Sequence, residues 1–282
     1  MATYLQEQWS TLASITYRSN VVLPELMDRR WEPEIGIGQG DTVNIPTFSQ
    51  NTSATKRSTF GTGADLTFDG VTESQVQLVI NQMAYKAFSM PVEMNDQAMS
   101  IYVPLLIDGI GEAVALTVDS ELASDNSNGI DGFSQTQGTD NVDVTEDDLI
   151  AAETQLDEAN APLNDRFLVI SPATRGSLMK LDVFKNSLYA ASVGNVDGSK
   201  GRGYLSSVYT YDIYVSNNLE AGTSGKKNGL FQREAIAYAA QKGLTVVKDL
   251  NIEEGLINQY AGYMVYGFKE VKDTFGVEIA GK

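Results

Sequence analysis

The sequence contains neither cysteine nor histidine among its 282 residues. Without cysteine the chain can form no disulfide and no thiolate metal site, which fits a reducing cytosol. Without histidine it lacks the commonest general base, the commonest metal ligand and the usual charge switch near neutral pH. Catalysis by serine–histidine–aspartate or cysteine–histidine arrangements is therefore excluded.

Long apolar runs are also missing. No stretch approaches the roughly 18 apolar residues that a transmembrane helix needs. The first residues, MATYLQEQWSTLAS, show no basic start followed by an apolar segment, so we expect no signal peptide and no membrane association. Hydrophobic residues still make up 42% of the chain, which is enough to fill the core of one large domain or two small ones.

The candidate nucleotide-binding and metal-binding motifs do not have the residues that these sites require at the required positions. Glu220 and Lys227 stand where a Walker A loop requires Gly and Ser or Thr. The segment Asp125–Asp131 has the composition of a calcium loop, but its glycine comes one position early and no Glu closes the frame. The acidic run 146–148 is explained by a helix N-terminus, which favours negative charge. We predict no catalytic residue, no cofactor and no metal site.

Positive charge is scarce and unevenly placed. The chain has 37 acidic and 20 basic residues, a net charge of −17. From Ala87 to Asp165 there are 17 acidic residues and no Lys or Arg, so charge is balanced in the rest of the chain. Such a surface repels nucleic acid, and a solubilising face is its simplest interpretation.

Part of this acidic block has the pattern of a long helix, from Pro104 to Asp125. Apolar residues recur there at steps of three and four, at Ile107, Ile110, Val114, Val118 and Leu122. Proline suits a first helical turn. Asp108, Glu112 and Asp119, at steps of four and seven, are predicted to share a second, purely acidic face.

The segments before this helix are predicted to extend outward. Residues 1–40 combine prolines and glycines with both tryptophans, Trp9 and Trp31, so we expect an irregular arm that needs a surface to pack on. Residues 41–92 predict a long hairpin with a polar link between its strands. Lys56 and Arg57 lie near its tip. Contact with the acidic surface of another subunit is one interpretation, and incidental charge on a mobile loop is the other.

The pattern of the second half predicts two helices early on and mostly strands after them. Thr145 begins a helix that ends before Pro162, and Ser171 begins another after a buried-type strand. The predicted strands are Phe167–Ile170, a strand pair or bent strand at Tyr204–Val215, Leu244–Val247 and Ile257–Val271. The pattern at Ala235–Ala240 fits a strand or a helix equally well.

In this order, the segments resemble the major capsid proteins of tailed bacteriophages, which have the HK97-type fold. The matching stretches are EIGIGQG (34–40), DTVNIP (41–46), QLVINQMAYKAFSMPV (77–92), ALTVDSEL (115–122), DRFLVISP (165–172) and YDIYVSNNL (211–219). The resemblance implies an α+β fold in four parts. They are an N-terminal arm (1–40), an E-loop hairpin (41–75), a peripheral domain (76–125 and 242–282) with a spine helix (104–125), and an axial domain (126–241).

The resemblance also implies a function. It predicts a self-assembling coat protein whose hexamers and pentamers form an icosahedral head around packaged double-stranded DNA, without sequence-specific binding. The protein is expected in the virion, after assembly in the host bacterial cytoplasm. The implied partners are a portal protein, a separate scaffolding protein and a candidate cement protein.

Particular residues follow from the resemblance. Three sets are implied: arm contacts between subunits at Trp9, Arg29, Arg30 and Trp31, E-loop contacts at Lys56 and Arg57, and an acidic helix face toward the shell interior at Asp108, Glu112 and Asp119. A negative inner wall would let DNA slide, although plain solubility explains those acids too. The alternative functions are an encapsulin-type nanocompartment shell around a cargo enzyme and a soluble β-rich binding or tail-structure protein.

Overall fold

A computed structural model describes most of the chain. The described residues are 21–35, 40–48, 73–93, 102–125, 127–181, 204–208, 210–252 and 255–282. The predicted contact residues Trp9, Lys56 and Arg57 lie outside these ranges. None of the described helices combines the length and apolarity that crossing a membrane requires.

The described part of the chain contains four helices and eleven strands. The helices are α1 (Leu23–Leu26), α2 (Tyr102–Ser124), α3 (Glu146–Glu158) and α4 (Pro172–Leu178). Single 3-10 turns occur at Glu32–Glu34, Ile130–Gly132, Arg233–Ala235 and Asp273–Phe275. The strands are β1 (Thr42–Phe48), β2 (Glu73–Val79), β3 (Gln82–Pro91), β4 (Thr136–Gly138), β5 (Arg166–Ile170), β6 (Tyr204–Val208), β7 (Tyr211–Val215), β8 (Lys226–Gln232), β9 (Ile236–Asn251), β10 (Ile257–Glu270) and β11 (Gly276–Gly281).

The strands form three sheets. Strands β1 and β2 pair alone, β3-β10-β9 form an antiparallel sheet, and β4-β11-β8-β5-β7-β6 form a mixed sheet. Strand β5 lies in the middle of the mixed sheet, parallel to β7 and antiparallel to β8, and all five of its residues are buried. The predicted mixed α and β composition is confirmed.

The predicted hairpin is present at its base. Strands β1 and β2 pair antiparallel, from Thr42 opposite Val79 to Phe48 opposite Glu73. Apolar side chains of the two strands, among them Leu78, pack on the first residues of β9. The hairpin is therefore fixed to the body of the subunit where it begins and ends.

The long amphipathic helix is confirmed as α2. Its stripe of Ile110, Val114, Val118 and Leu122 is buried against the antiparallel sheet, as its spacing predicts. Gly262 of β10 permits this close approach, because a Cβ there would overlap the side chain of Ile110.

The helix predicted after Thr145 is also confirmed. Thr145 Oγ1 accepts from the Asp148 amide (3.3 Å), and Asp148 Oδ2 accepts from the Thr145 amide (2.9 Å), which completes a capping box. Leu149, Ala152 and Leu156 then face the mixed sheet. Their spacing of three and four residues explains why this helix could be predicted.

Two strands differ from the prediction. The ambiguous stretch from Ala235 and the short strand at Leu244–Val247 are parts of one 16-residue strand, β9. The predicted domain boundary between residues 241 and 242 therefore falls inside a strand. Strand β11 joins the mixed sheet through β8 and β4, although it lies in the range predicted for the peripheral domain. The length of β9 and the sheet to which β11 belongs are both set by pairing between strands. Periodicity in the sequence does not reveal such pairing.

Candidate assembly surfaces

The base of the N-terminal arm, residues 21–28, lies against the body of the subunit. We call this segment the arm base. Its Asp28 amide donates to the Ile236 carbonyl (3.0 Å), and the Tyr238 amide donates to the Asp28 carbonyl (2.9 Å). Leu23 and Leu26 of α1 are buried in the core beneath α2. The arm is thus an integral part of the subunit from about residue 22 onward.

The predicted arm contacts Arg29 and Arg30 already have partners within the chain. Arg29 Nε and Nη2 donate to the Glu32 carboxylate, at 2.9 and 2.8 Å, and this raises the pKa of Arg29 above its ordinary value. Arg30 pairs with the Asp28 carboxylate at 2.7 Å, and hydrogen bonding to it raises the pKa of Arg30. The side chains are still 45% exposed for Arg29 and 60% exposed for Arg30. Their role between subunits stays a prediction.

Trp31 is partly buried beside the hairpin base. Its ring packs against the cluster that contains Ile35, Ile45 and Leu78, and the Arg30 guanidinium lies 6.0 Å from the ring centroid. Part of the apolar surface that predicted an exposed arm is therefore covered by the subunit itself.

The predicted acidic face of α2 divides into exposed and buried positions. Asp108 is exposed and Glu112 is half-buried. Asp119 is fully buried at 0% exposure, so its assignment to an acidic face of the wall is wrong. The reason is that α1 covers this end of the helix, and the Asp119 carboxylate accepts the amide hydrogens of Val22 and Leu23.

One face of the antiparallel sheet is covered by α2, and the other is covered only in part, by the hairpin base. Even-numbered residues of β10, such as Tyr260 and Tyr266, are buried toward α2. The Phe88 and Tyr260 rings stack there at 4.9 Å, and the Tyr266 hydroxyl donates to the Glu121 carboxylate. Burial and this hydrogen bond raise the pKa of Tyr266 well above its ordinary value.

The opposite face carries large side chains that nothing in the described chain covers completely. We call Met83, Tyr85, Val247 and Tyr263 the open sheet face. Tyr85 lies directly opposite Tyr263, and Met83 is two residues away on the same face. Met83 is 57% and Tyr85 69% exposed, and Lys242 lies over the Tyr263 ring at 4.5 Å. An exposed apolar patch on a rigid sheet is typical of a protein interface.

The open sheet face is absent from the predicted site residues. The sequence does carry a signal for it, because large residues alternate on both faces of β10. A strand with one solvated face normally alternates apolar and polar residues, so this pattern indicates two surfaces that need partners.

The comparisons with known proteins identify the family. The family model described as phage capsid protein matches residues 87–278, more than half of the chain. The chain belongs to this family.

The shell subunit also resembles solved phage structures along its whole length. A structure from Mycobacterium phage Che8 has a TM-score of 0.74 at 20% identity and covers 99% of this chain and 98% of that chain. The capsid structure of cyanophage P-SCSP1u gives 0.70 at 15% identity, with 99% and 93% covered. The capsid of Ralstonia phage GP4 gives 0.65 at 13%, with 99% and 96% covered. No curated protein sequence matches.

These matches confirm the HK97-type fold, and the family confirms the capsid function. The protein is a structural subunit of a bacteriophage capsid shell, built from many copies and located in the virion. The family match favours this function over the nanocompartment shell and over the soluble β-rich protein.

Proposed function

We propose that this subunit forms the hexamers and pentamers of an icosahedral head that encloses double-stranded DNA. Its role is structural rather than catalytic, and its partners include a portal protein, a separate scaffolding protein and a candidate cement protein. The observation that carries the proposal is the open sheet face. Apolar side chains held at more than half exposure on a rigid sheet favour permanent burial against a second copy.

The exposed Asp108 and the half-buried Glu112 of α2 are part of the proposal. Asp108 and Glu112 face the packaged DNA, where a negative wall does not bind phosphates and leaves the duplex free to move. A cryo-electron microscopy reconstruction of the shell would locate this face. Its position on the outer surface would contradict the assignment.

Tyr85 provides the test of assembly. We expect Tyr85→Ser to reduce the yield of closed shells strongly, because it removes a large apolar contact without opening a cavity in the folded subunit. Tyr85→Phe is the matched control, since it keeps the ring area and should assemble normally. The measurement is negative-stain electron microscopy of the purified full chain, with circular dichroism to establish folding. Normal shells from folded Tyr85→Ser would contradict the proposal.

A further inference from the structure

The Asp119 carboxylate joins three separate segments inside the subunit. Oδ1 accepts from the Val22 amide (2.9 Å) and the Leu23 amide (2.8 Å) at the start of α1. Oδ2 accepts from Asn218 Nδ2 (2.7 Å) and the Ser216 hydroxyl (3.3 Å), which follow β7 in the mixed sheet. The side chain therefore ties the arm base, helix α2 and the turn after β7 together.

Core packing alone does not explain a carboxylate at this position. Burying a carboxylate costs several kcal/mol, and a buried charge is commonly no more stabilising than a well-packed apolar side chain. Among the described residues no Lys or Arg forms an ion pair with Asp119, so neutral donors alone satisfy it. A carboxylate oxygen accepts hydrogen bonds from specific donors and so fixes the orientation of the groups that donate to it. An apolar side chain does not.

The two backbone amides that donate from the arm base are the ones that carry the inference. Val22 and Leu23 stand where residues 1–20 join the described part of the subunit. Asp28 holds the arm base at a second point, through backbone hydrogen bonds to β9, and Arg30 pairs with Glu234 at 3.3 Å. Asp119 is thus the side chain that fixes the end of the arm base nearest to residues 1–20.

We propose that Asp119 is a positioning residue for assembly, which sets the direction in which residues 1–20 leave the subunit. The inference rests on the proposed assembly into closed shells, because the arm has a function only when a neighbouring copy receives it. A subunit with a loosened arm base folds but presents its arm in many directions. It therefore assembles into open or irregular products.

The first test is Asp119→Asn. The amide oxygen can still accept from the arm, but the new NH₂ group meets the NH₂ group of Asn218, so two donors oppose each other. We expect amide exchange in the peptide 21–28 to become at least about tenfold faster, as loss of a hydrogen bond to a charged group predicts. We expect the yield of closed shells to fall at least as far. The measurements are hydrogen exchange by mass spectrometry and electron microscopy.

Three variants separate positioning from a general loss of stability. Thr117→Ala changes an exposed residue of the same helix, two positions from Asp119, and should change neither readout. Asp148→Asn weakens the capping box of α3 and should lower the unfolding midpoint but leave arm exchange and shells unchanged. The double variant Asp119→Asn with Asn218→Asp restores a donor–acceptor pair, and we expect it to recover slow exchange and closed shells.

The outcomes decide the inference separately from the proposed function. Amide exchange at the wild-type rate together with closed shells in Asp119→Asn would overturn the inference about Asp119. A loss of shells in Asp148→Asn equal to that in Asp119→Asn would also overturn it. If Asp119→Asn does not fold, the double variant decides. A folded double variant with slow exchange and closed shells supports the inference, and one without them overturns it. A wild-type chain that forms no shells would contradict the proposed function instead, whereas arm exchange would still report the tie.

Discussion

Two charged side chains, the buried Arg166 and the half-buried Glu270, have specific hydrogen-bonding partners. Arg166 is 1% exposed, yet its guanidinium donates to the carbonyls of Ala161 and Pro162 and to Asp157, at 2.7 to 2.9 Å. Glu270, at the end of β10, is hydrogen-bonded to Asp273, whose carboxylate also accepts from Ser134. Two carboxyl groups in contact favour one shared proton.

Glu270 makes the stability of the subunit depend on pH. Burial, followed by repulsion and hydrogen bonding from Asp273, raises the pKa of Glu270 from 4.5 to about 7, while Lys269 opposes the shift. Between these values the folded chain holds a proton that the unfolded chain has lost, so stability falls as pH rises. We expect Glu270→Gln to flatten this decline. Urea unfolding midpoints of the unassembled subunit at pH 5, 6, 7 and 8 test it, and parallel curves for both proteins would contradict it.

The sequence reveals charge at the residue scale but not its burial. The acidic block and the helical positions of Asp108 and Asp119 are visible in the sequence, and their spacing places them on the same helix face. Their surroundings differ because α1, from a distant part of the chain, covers only the end near Asp119. Periodicity describes one element at a time, so it cannot predict a contact between two elements that are far apart in the sequence.

At the scale of elements, two glycines have opposite roles. Gly267 of β10 crosses the hairpin base, and a Cβ there would overlap the Val79 carbonyl and the Ile80 Cα. Gly109 of α2 is exposed, and a Cβ there would meet nothing within 4 Å. One glycine is required by a close approach of backbones, while the other only weakens a helix.

Alanine at the two positions should therefore change stability in opposite directions. We expect Gly267→Ala to destabilise the subunit by about 1–3 kcal/mol, because backbone cannot move aside as a side chain can. We expect Gly109→Ala to stabilise it by about 0.5–1 kcal/mol, because alanine favours the helix. Denaturant unfolding of both variants measures the changes. An effect of the same sign at both positions would contradict this explanation.

Elements with a clear hydrophobic periodicity could be predicted from the sequence. Elements whose extent or sheet depends on pairing with distant strands could not. Helices α2 and α3 and the hairpin strands carry clear patterns of three and four or of two residues. Strand β11 is six residues long and has no helix or hairpin partner beside it in sequence, so only its pairing with β8 and β4 assigns it to a sheet. The continuity of β9 depends in the same way on β10.

At the scale of the whole molecule, assembly must bring together subunits that each carry a net charge of −17. Repulsion between them is weakened by salt, since the screening length falls from about 10 Å at 0.1 M to about 3 Å at 1 M. The basic pair Lys56 and Arg57 and the acidic block Ala87–Asp165 are opposite in charge, and we expect their attraction to offset part of the repulsion.

Reversing the basic pair should make assembly depend on salt. We expect Lys56→Glu with Arg57→Glu to raise the subunit concentration needed for assembly several-fold at low salt, and the difference to shrink near 1 M salt. The Gln–Gln pair at the same positions is the graded control and should show a smaller effect. Sedimentation across a salt series measures it. A defect that stays constant with salt would show that the loss is not electrostatic.

The arm base has a consequence for the order of events during synthesis. Its partners, Asp119 and then Ile236 and Tyr238, lie far later in the chain. A ribosome adds roughly 5–20 residues per second, so the arm base leaves it many seconds before Tyr238 does. During that interval the arm base of the nascent chain lacks the partners that hold it in the finished subunit. If the arm base directs assembly as proposed, we expect incomplete chains to join a growing shell poorly, so that shells grow from subunits whose synthesis is nearly finished.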